Sequence, residues 1–522
     1  MIKRASILVL SLFLFACGGD KNSTGSNSTD PNNNSNANDG FDELRQVARA
    51  QLEASIAPAL SIAIYQAGEI VFAEAYGEKI YGEGQSVDSN TLFQLGSTTK
   101  MFTALALLQQ IDQGHFNLDD SLLEAMPQLQ LAELERPLWQ QISLHDLMSH
   151  QGGLAEFNRF NHDDETLLDF SRDTYPALYG PMNPAGRFFN YSNSHWTYIG
   201  ALLEQSLNAD FAELMQTQVF EPLEMPRTTV KREQVLRDGN YALGAGNIYQ
   251  GSEIRAGRAQ SLDEVPGSPL GIPAGEFTWS TPSEMLKMAE FLLYGDSNIL
   301  TDDLRQQMTS AQVGLDIGLP MSYGYGLFIS EGFSDQQQWY ATPLWDHGGN
   351  TYAYTSMFWL LPEQQIAVSI LSSGAQTDFT ATMMAALRAV TDLPAPTEVP
   401  VEPVASDLFE KHAGRYVGDI GVVDVSLVDG NLLVDIPAYN QQGLVYDKQL
   451  QPLAASYFRL KVGNENIDIT FIGAEDGPAS EYIRHREFVL IRDDAASVEF
   501  EPSASLQQHL HELTKSEPTT SL

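Results

Sequence analysis

Ser97 and Lys100 stand three residues apart in Gly96-Ser97-Thr98-Thr99-Lys100, where a segment begins that is apolar on nearly every face. Residues at that spacing share one face of a helix, so a serine hydroxyl and a lysine amine can come within hydrogen-bond reach. A serine hydroxyl is a poor nucleophile until a base takes its proton, and an amine shares that task when burial or nearby charge lowers its pKa. A helix N-terminus adds backbone N–H groups that favour negative charge beside the serine oxygen. Alone, the spacing also fits an N-capping serine followed by a solvated lysine. The apolar helix weighs against that, because a lysine inside it needs a partner.

Two further stretches carry compatible groups. In Asn190-Tyr191-Ser192-Asn193-Ser194, a tyrosine whose phenolate is stabilised by a neighbouring lysine can accept the serine proton and pass it to a leaving group. Asn193 can orient a substrate carbonyl or amide; a core tyrosine beside a turn-forming asparagine fits the same residues. In Asp346-His347-Gly348-Gly349-Asn350, paired glycines let a backbone edge approach a ligand closely. An N–H from that edge and the N–H of Ser97 can form an oxyanion hole, while His347 also fits a histidine capping a turn.

The elements that position these groups follow from periodicity. Phe41 to Ser55 predicts a helix, and Ser61 to Tyr76 predicts two strands turning at Ala67-Gly68. Thr99 to Ile111 predicts a helix buried inside a domain, stopped by Gly114. Helical segments alternate with polar loops to about residue 240, and strands return at Tyr352 to Leu361, just after the His347 motif, and at Ile366 to Ser372. Pro394, Pro396, Pro400 and Pro403 form a stiff, extended connector. Beyond it, short strands at Gly414 to Asp419, Val422 to Ile436, Tyr457 to Val462, Ile467 to Ile472 and Phe488 to Arg492, with a turn at Asp429-Gly430, predict a small all-β domain.

The chain of 522 residues is 43% apolar, enough for a large core, and its 29 basic and 68 acidic residues give a net charge of −39. That balance repels nucleic acid, so polynucleotide partners are not expected. Lys3 and Arg4 before the apolar stretch Ala5 to Ala16 read as a signal peptide, too short to span a membrane. Leu14-Phe15-Ala16-Cys17 resembles the lipobox of bacterial lipoproteins, which makes Cys17, the only cysteine, the lipidation site. Gly18 in place of aspartate points to the outer membrane. Gly18 to Gly40, rich in Asn, Ser, Asp and Gly, reads as a flexible tether. The organisation expected is therefore 1–16 signal peptide, 17–40 lipidated cysteine and tether, 41–392 a domain carrying the Ser97, Tyr191 and His347 motifs, 393–404 linker, 405–498 all-β domain and 499–522 polar tail. The location expected is the bacterial cell envelope, periplasm-facing or on the surface.

Taken in order, Ser97-x-x-Lys100, Tyr191-x-Asn193 and His347-Gly348-Gly349 resemble the three motifs of the penicillin-recognising serine hydrolases related to class C β-lactamases. That group includes D,D-carboxypeptidases, D-aminopeptidases and carboxylesterases. Leu147 to Leu154, Pro273-Ala274-Gly275, Tyr323-Gly324-Tyr325-Gly326 and Leu361-Pro362-Glu363 are similar to further family segments. The resemblance spans about residues 42 to 392. It implies an antiparallel sheet flanked by helices with a helical subdomain (an α/β, or α+β, β-lactamase/transpeptidase-like fold), and an accessory β domain behind it. It further implies that Ser97 is acylated, that Lys100 and Tyr191 handle the proton, that Asn193 contacts substrate, and that the Ser97 and Asn350 N–H groups bind the oxyanion. His150 resembles a structural position.

His347 stands where many relatives have lysine. A histidine is charged only when its pKa exceeds the ambient pH, so efficient β-lactamase action is not expected and peptidase and esterase relatives become the better guides. The expected function is acyl transfer to water through a Ser97 ester, on a small amide or ester or a short peptide, with D-amino-acid peptides ahead of carboxylic esters. No cofactor or metal is implied. A carboxylesterase of the same fold stays open, as does a catalytically inactive envelope lipoprotein that binds penicillin or peptidoglycan. No G-x-S-x-G elbow or H-E-x-x-H spacing supports an α/β-hydrolase or a zinc enzyme.

Overall fold

The computed structural model describes residues 40–493 apart from 134, 158–163, 246–261, 263–264, 266, 419, 464, 474–476 and 487. Residues 1–39, where the signal peptide, the Cys17 lipidation site and most of the tether are expected, and the polar tail expected at 499–522 lie outside the described residues. No described helix is long and apolar enough to cross a membrane.

An eight-stranded antiparallel sheet forms the frame. Its strands are β1 (Ala59–Gln66), β2 (Glu69–Gly77), β3 (Val313–Gly314), β4 (Met321–Tyr323), β5 (Phe328–Ser330), β6 (Leu344–Asn350), β7 (Thr355–Leu361) and β8 (Ile366–Ser372), in the order β2-β1-β8-β7-β6-β5-β4-β3. Strands from both ends of the domain meet where β1 pairs with β8. Both strands are apolar on successive residues because both faces are covered. Leu60, Ile62, Ile64, Val368 and Ile370 pack toward helices α1 (Asp42–Ala54) and, at the other end of the domain, Thr380–Val390. Ala59, Ala63 and Leu371 face the main core, which holds α2 (Lys100–Asp112). The turn between β1 and β2 uses Ala67 and Gly68, both at positive φ, as a two-residue hairpin requires.

α2 runs through that core, which explains why no face of it is polar: Met101 to Gln110 are buried throughout. The α-helix opens at Lys100 rather than before Ser97. Gly96–Thr99 is a separate 3₁₀ turn, so Ser97 and Lys100 sit on consecutive elements. The His347 motif also differs from expectation. Residues 346–350 are themselves strand, the last five residues of β6, and the strand expected from Tyr352 begins at Thr355. The ladder to β7, from Trp345↔Leu360 to Asn350↔Thr355, holds both glycines extended, as the backbone edge the sequence suggested.

The proline-rich segment is extended, yet it is not a free spacer. Thr397 and Glu398 pair with Trp339 and Gln338, adding an edge strand to the hairpin of Phe333–Asp335 and Gln338–Tyr340. The C-terminal unit is an eight-stranded antiparallel sheet of β9 (Gly414–Gly418), β10 (Gly421–Val428), β11 (Asn431–Asp435), β12 (Gln451–Pro452), β13 (Tyr457–Val462), β14 (Glu465–Ile472), β15 (Tyr482–His485) and β16 (Phe488–Arg492), in the order β11-β10-β9-β16-β15-β14-β13-β12. The segment before β12 donates to Lys461 O from Asp447 N and offers Lys448 O to Val434 N, which curls the sheet back on itself around Tyr416, Phe458 and Phe471. β15 and β16 dock on the larger domain: Tyr482 and Val489 pack on Met182 and Phe188, and buried Arg484 donates to Phe189 O, Leu315 O and Thr470 Oγ1.

Candidate active site

Ser97 is half-buried at the mouth of a cavity. The turn that carries it touches β6 backbone to backbone. Gly96 takes φ +59°, and a Cβ there would lie 2.7 Å from Asn350 N; a Cβ on Gly349 would strike Leu95 O. Only glycine permits this approach, which brings the backbone of Ser97 beside that of Asn350.

Lys100 is fully buried, and its Nζ donates to Ser97 Oγ (3.1 Å), Asn193 Oδ1 (2.8 Å) and Ala274 O (2.7 Å). Three acceptors match the three N–H groups of an ammonium, so this environment holds lysine as a cation. Pro273-Ala274-Gly275 thus contributes a carbonyl to the lysine. Asn193 opens α3 (Asn193–Leu207), and its Nδ2 and backbone N–H both donate to Glu156 Oε1. Glu156 therefore fixes the amide so that its oxygen faces Lys100.

Tyr191 is buried, stacked on His150 at 4.2 Å between ring centroids. Lys100 Nζ lies 5.0 Å from the centre of its ring and Arg486 Cζ 4.6 Å. Burial pushes the phenol up to about 12, against the pull of the Arg486 charge and of a hydrogen bond with Ser97. Trp196 Nε1 and Ser192 N approach opposite ring nitrogens of His150, of which a neutral imidazole accepts at one only, and burial holds its pKa well below the usual range. It is a neutral prop behind Tyr191.

His347 is 2% exposed, and burial lowers its pKa to about 3. Its Nδ1 lies 2.6 Å from Gly348 O, so Nδ1 carries the proton and donates; Nε2 then accepts from Tyr323 Oη at 3.2 Å. Both nitrogens are engaged by the protein and the ring is neutral, so it does not reproduce a lysine's charge. Asn350 Oδ1 accepts from Thr355 Oγ1, and Gly348 is exposed.

Two cavities meet at Ser97. The larger, about 210 Å³, is bounded by Ser97, Tyr191, His347 and Asn350 and runs beneath the Phe333–Tyr340 hairpin between apolar walls that include Leu319, Phe328 and Trp339. The smaller, about 40 Å³, is polar and is lined by Asn193, Glu156, Thr197 and Glu276. No cluster of three His, Cys, Asp or Glu side chains suited to a metal occurs among the described residues.

The sequence matches the Beta-lactamase family model over residues 44–393. The chain belongs to the β-lactamase family. This β-lactamase-family chain is 25% identical over 277 residues to the teichoic acid D-alanine hydrolase of Staphylococcus aureus, covering 51% of the chain and 62% of that protein. It is 29% identical over 194 residues to a beta-lactamase of Yersinia enterocolitica, covering 37% and 47%. The chain thus matches less than two thirds of the length of these curated relatives. Among solved structures, SurE superposes with a TM-score of 0.65 at 18% identity, over 87% of this chain and 99% of that one. The octameric penicillin-binding protein homologue from Pyrococcus abyssi superposes with a TM-score of 0.58 at 20% identity, over 86% and 99%. The β-lactamase/transpeptidase fold and the family's character as hydrolases follow.

The structure brings Ser97, Lys100, Tyr191, Asn193, His347, Gly348, Gly349 and Asn350 around one cavity system. Sequence reasoning missed Glu156 and Arg486. Glu156 lies in a loop two residues past the Leu147 to Leu154 segment and belongs to no motif itself. Arg486 had a weak signal, since Arg484-His485-Arg486 concentrates positive charge in an acidic chain.

Proposed function

We propose that the protein is a serine hydrolase that cleaves small amides or esters through an acyl-Ser97 intermediate, with D-amino-acid derivatives as its preferred substrates. The observation that carries this reading is Lys100 Nζ, held between Ser97 Oγ and Asn193 Oδ1 with Tyr191 beside it. A saturated ammonium is not a base. Lys100 supplies positive charge, and Tyr191 accepts the Ser97 proton as a phenolate stabilised by that charge.

Ser97 Oγ then bonds to the substrate carbonyl carbon, and the N–H groups of Ser97 and Asn350 hold the oxyanion. Collapse breaks the bond to the leaving group, which takes the proton from Tyr191. Water repeats the sequence on the acyl ester and restores Ser97. The neutral state of His347 favours substrates that need no cation at that position, which ranks β-lactams below D-alanyl amides and esters. The relative named as a D-alanine hydrolase supports the same order. Attachment to the bacterial envelope through a lipid on Cys17 belongs to this proposal and rests on the N-terminal sequence.

The test is turnover of a D-alanyl anilide, a short-chain nitrophenyl ester and a chromogenic cephalosporin by wild type and Ser97→Ala. Hydrolysis of the anilide that vanishes in the variant supports the proposal. Turnover of the ester alone selects the carboxylesterase reading, and equal rates in both proteins overturn acylation of Ser97.

A further inference from the structure

The turn joining β15 to β16 carries the accessory domain into the site. Arg486, 11% exposed, lines the larger cavity together with Ser97 and Tyr191. Its Nη2 lies 3.2 Å from Glu156 Oε1, and its buried Nε–H has no hydrogen-bond partner. That Glu156 oxygen is already shared with two donors of Asn193.

A guanidinium is always charged, and holding one beside apolar walls costs desolvation that a shared contact with Glu156 and the face of the Tyr191 ring offset only in part. Its planar fork suits a carboxylate, to which it can donate two parallel hydrogen bonds. The other basic groups around Ser97 cannot serve: Lys100 has three protein acceptors and His347 has both nitrogens engaged. Beyond Arg486 the cavity offers apolar walls such as Leu319, Phe328 and Trp339.

We propose that Arg486 is a specificity-determining residue that binds a free carboxylate of the substrate, so that the preferred ligands combine an apolar body with a carboxylate. The accessory domain is then part of the substrate site. This assignment rests on the site proposed above, but binding tests it without chemistry.

The experiment uses the protein bearing Ser97→Ala, with N-octanoyl-D-alanine and its carboxamide as probes, and measures Kd by calorimetry with and without Arg486→Gln. The carboxylate binds more tightly than the carboxamide, and Arg486→Gln weakens the carboxylate about 10- to 100-fold, as losing a charge-assisted hydrogen bond does, leaving the carboxamide within about threefold. Arg486→Lys keeps the charge without the fork and retains part of the preference. Equal affinity for the two probes, binding of neither, or an equal loss for both in Arg486→Gln overturns the proposal. Failure of Ser97 to acylate in the wild type is read separately and bears on the hydrolase reading alone.

Discussion

Lys100 Nζ stands 2.8 Å from Asn193 Oδ1, and this bond ties the opening turn of α2 to the opening turn of α3. The same ammonium touches Ser97 Oγ, so one buried cation organises side chains from two helices and a 3₁₀ turn. Its surroundings hold the charge in place, but at a desolvation cost of several kcal/mol.

Lys100→Met therefore separates function from stability. Removing the cation recovers that desolvation, against about 1–3 kcal/mol for each acceptor left unpaired, and Ser97 and Asn193 border cavities where water can replace it. The thermal midpoint should hold or rise while kcat falls by about 10² to 10⁴. Calorimetry and kinetics on one preparation check this; a variant that stays active contradicts it.

The pH profile distinguishes Tyr191 from His347. A phenol pushed up to about 12 is nearly all protonated at neutral pH, and its active phenolate grows as pH rises, so kcat/KM should climb through the neutral and alkaline range. His347, lowered to about 3, is neutral throughout and contributes no limb between pH 5 and 8. An acid limb near pH 6.5 that disappears in His347→Asn would contradict both assignments.

Asp346 borders the larger cavity, and burial raises its carboxyl to about 7. Its folded pKa lies above the ordinary carboxylate value of about 3.9. The folded state thus binds more protons between those values, and Asp346's contribution, complete below pH 4, is lost as pH rises through 7. Asp346→Asn should raise the thermal midpoint at pH 8 and change it little at pH 4. Equal shifts at both pH values would remove Asp346 as the cause.

Docking of the accessory domain depends on Arg484. Arg484→Leu leaves Phe189 O and Leu315 O without their donor and should destabilise the protein by about 2–4 kcal/mol in urea unfolding. Because Phe189 leads directly to Tyr191, activity should fall with it. An unchanged unfolding curve would show that the two carbonyls find other partners.

The buried α2 helix and the β1–β2 hairpin were legible because period and turn chemistry agree with their surroundings: apolar residues on every face for α2, Ala67-Gly68 for the hairpin. β3 and β4, of two and three residues, are too short to show a period. The extended form of Gly348-Gly349 is imposed by β7 and by the nearness of Leu95 rather than by the pair itself. The reach of Arg486 into the site is set by how the C-terminal sheet docks, and Glu156 meets Asn193 from a loop 37 residues earlier; both are contacts between segments distant in sequence. Ser97, Lys100, Tyr191 and Asn193 were legible as spaced groups, but the state of His347 depends on Tyr323 and the burial around it.

The most direct test is the intact mass of the protein after exposure to a fluorophosphonate and to a D-alanyl ester, beside Ser97→Ala. One adduct per chain on the wild type, localised to Ser97 by peptide mapping and absent from the variant, is the predicted result. An unmodified wild type, or equal labelling of both proteins, would contradict a Ser97 acyl intermediate.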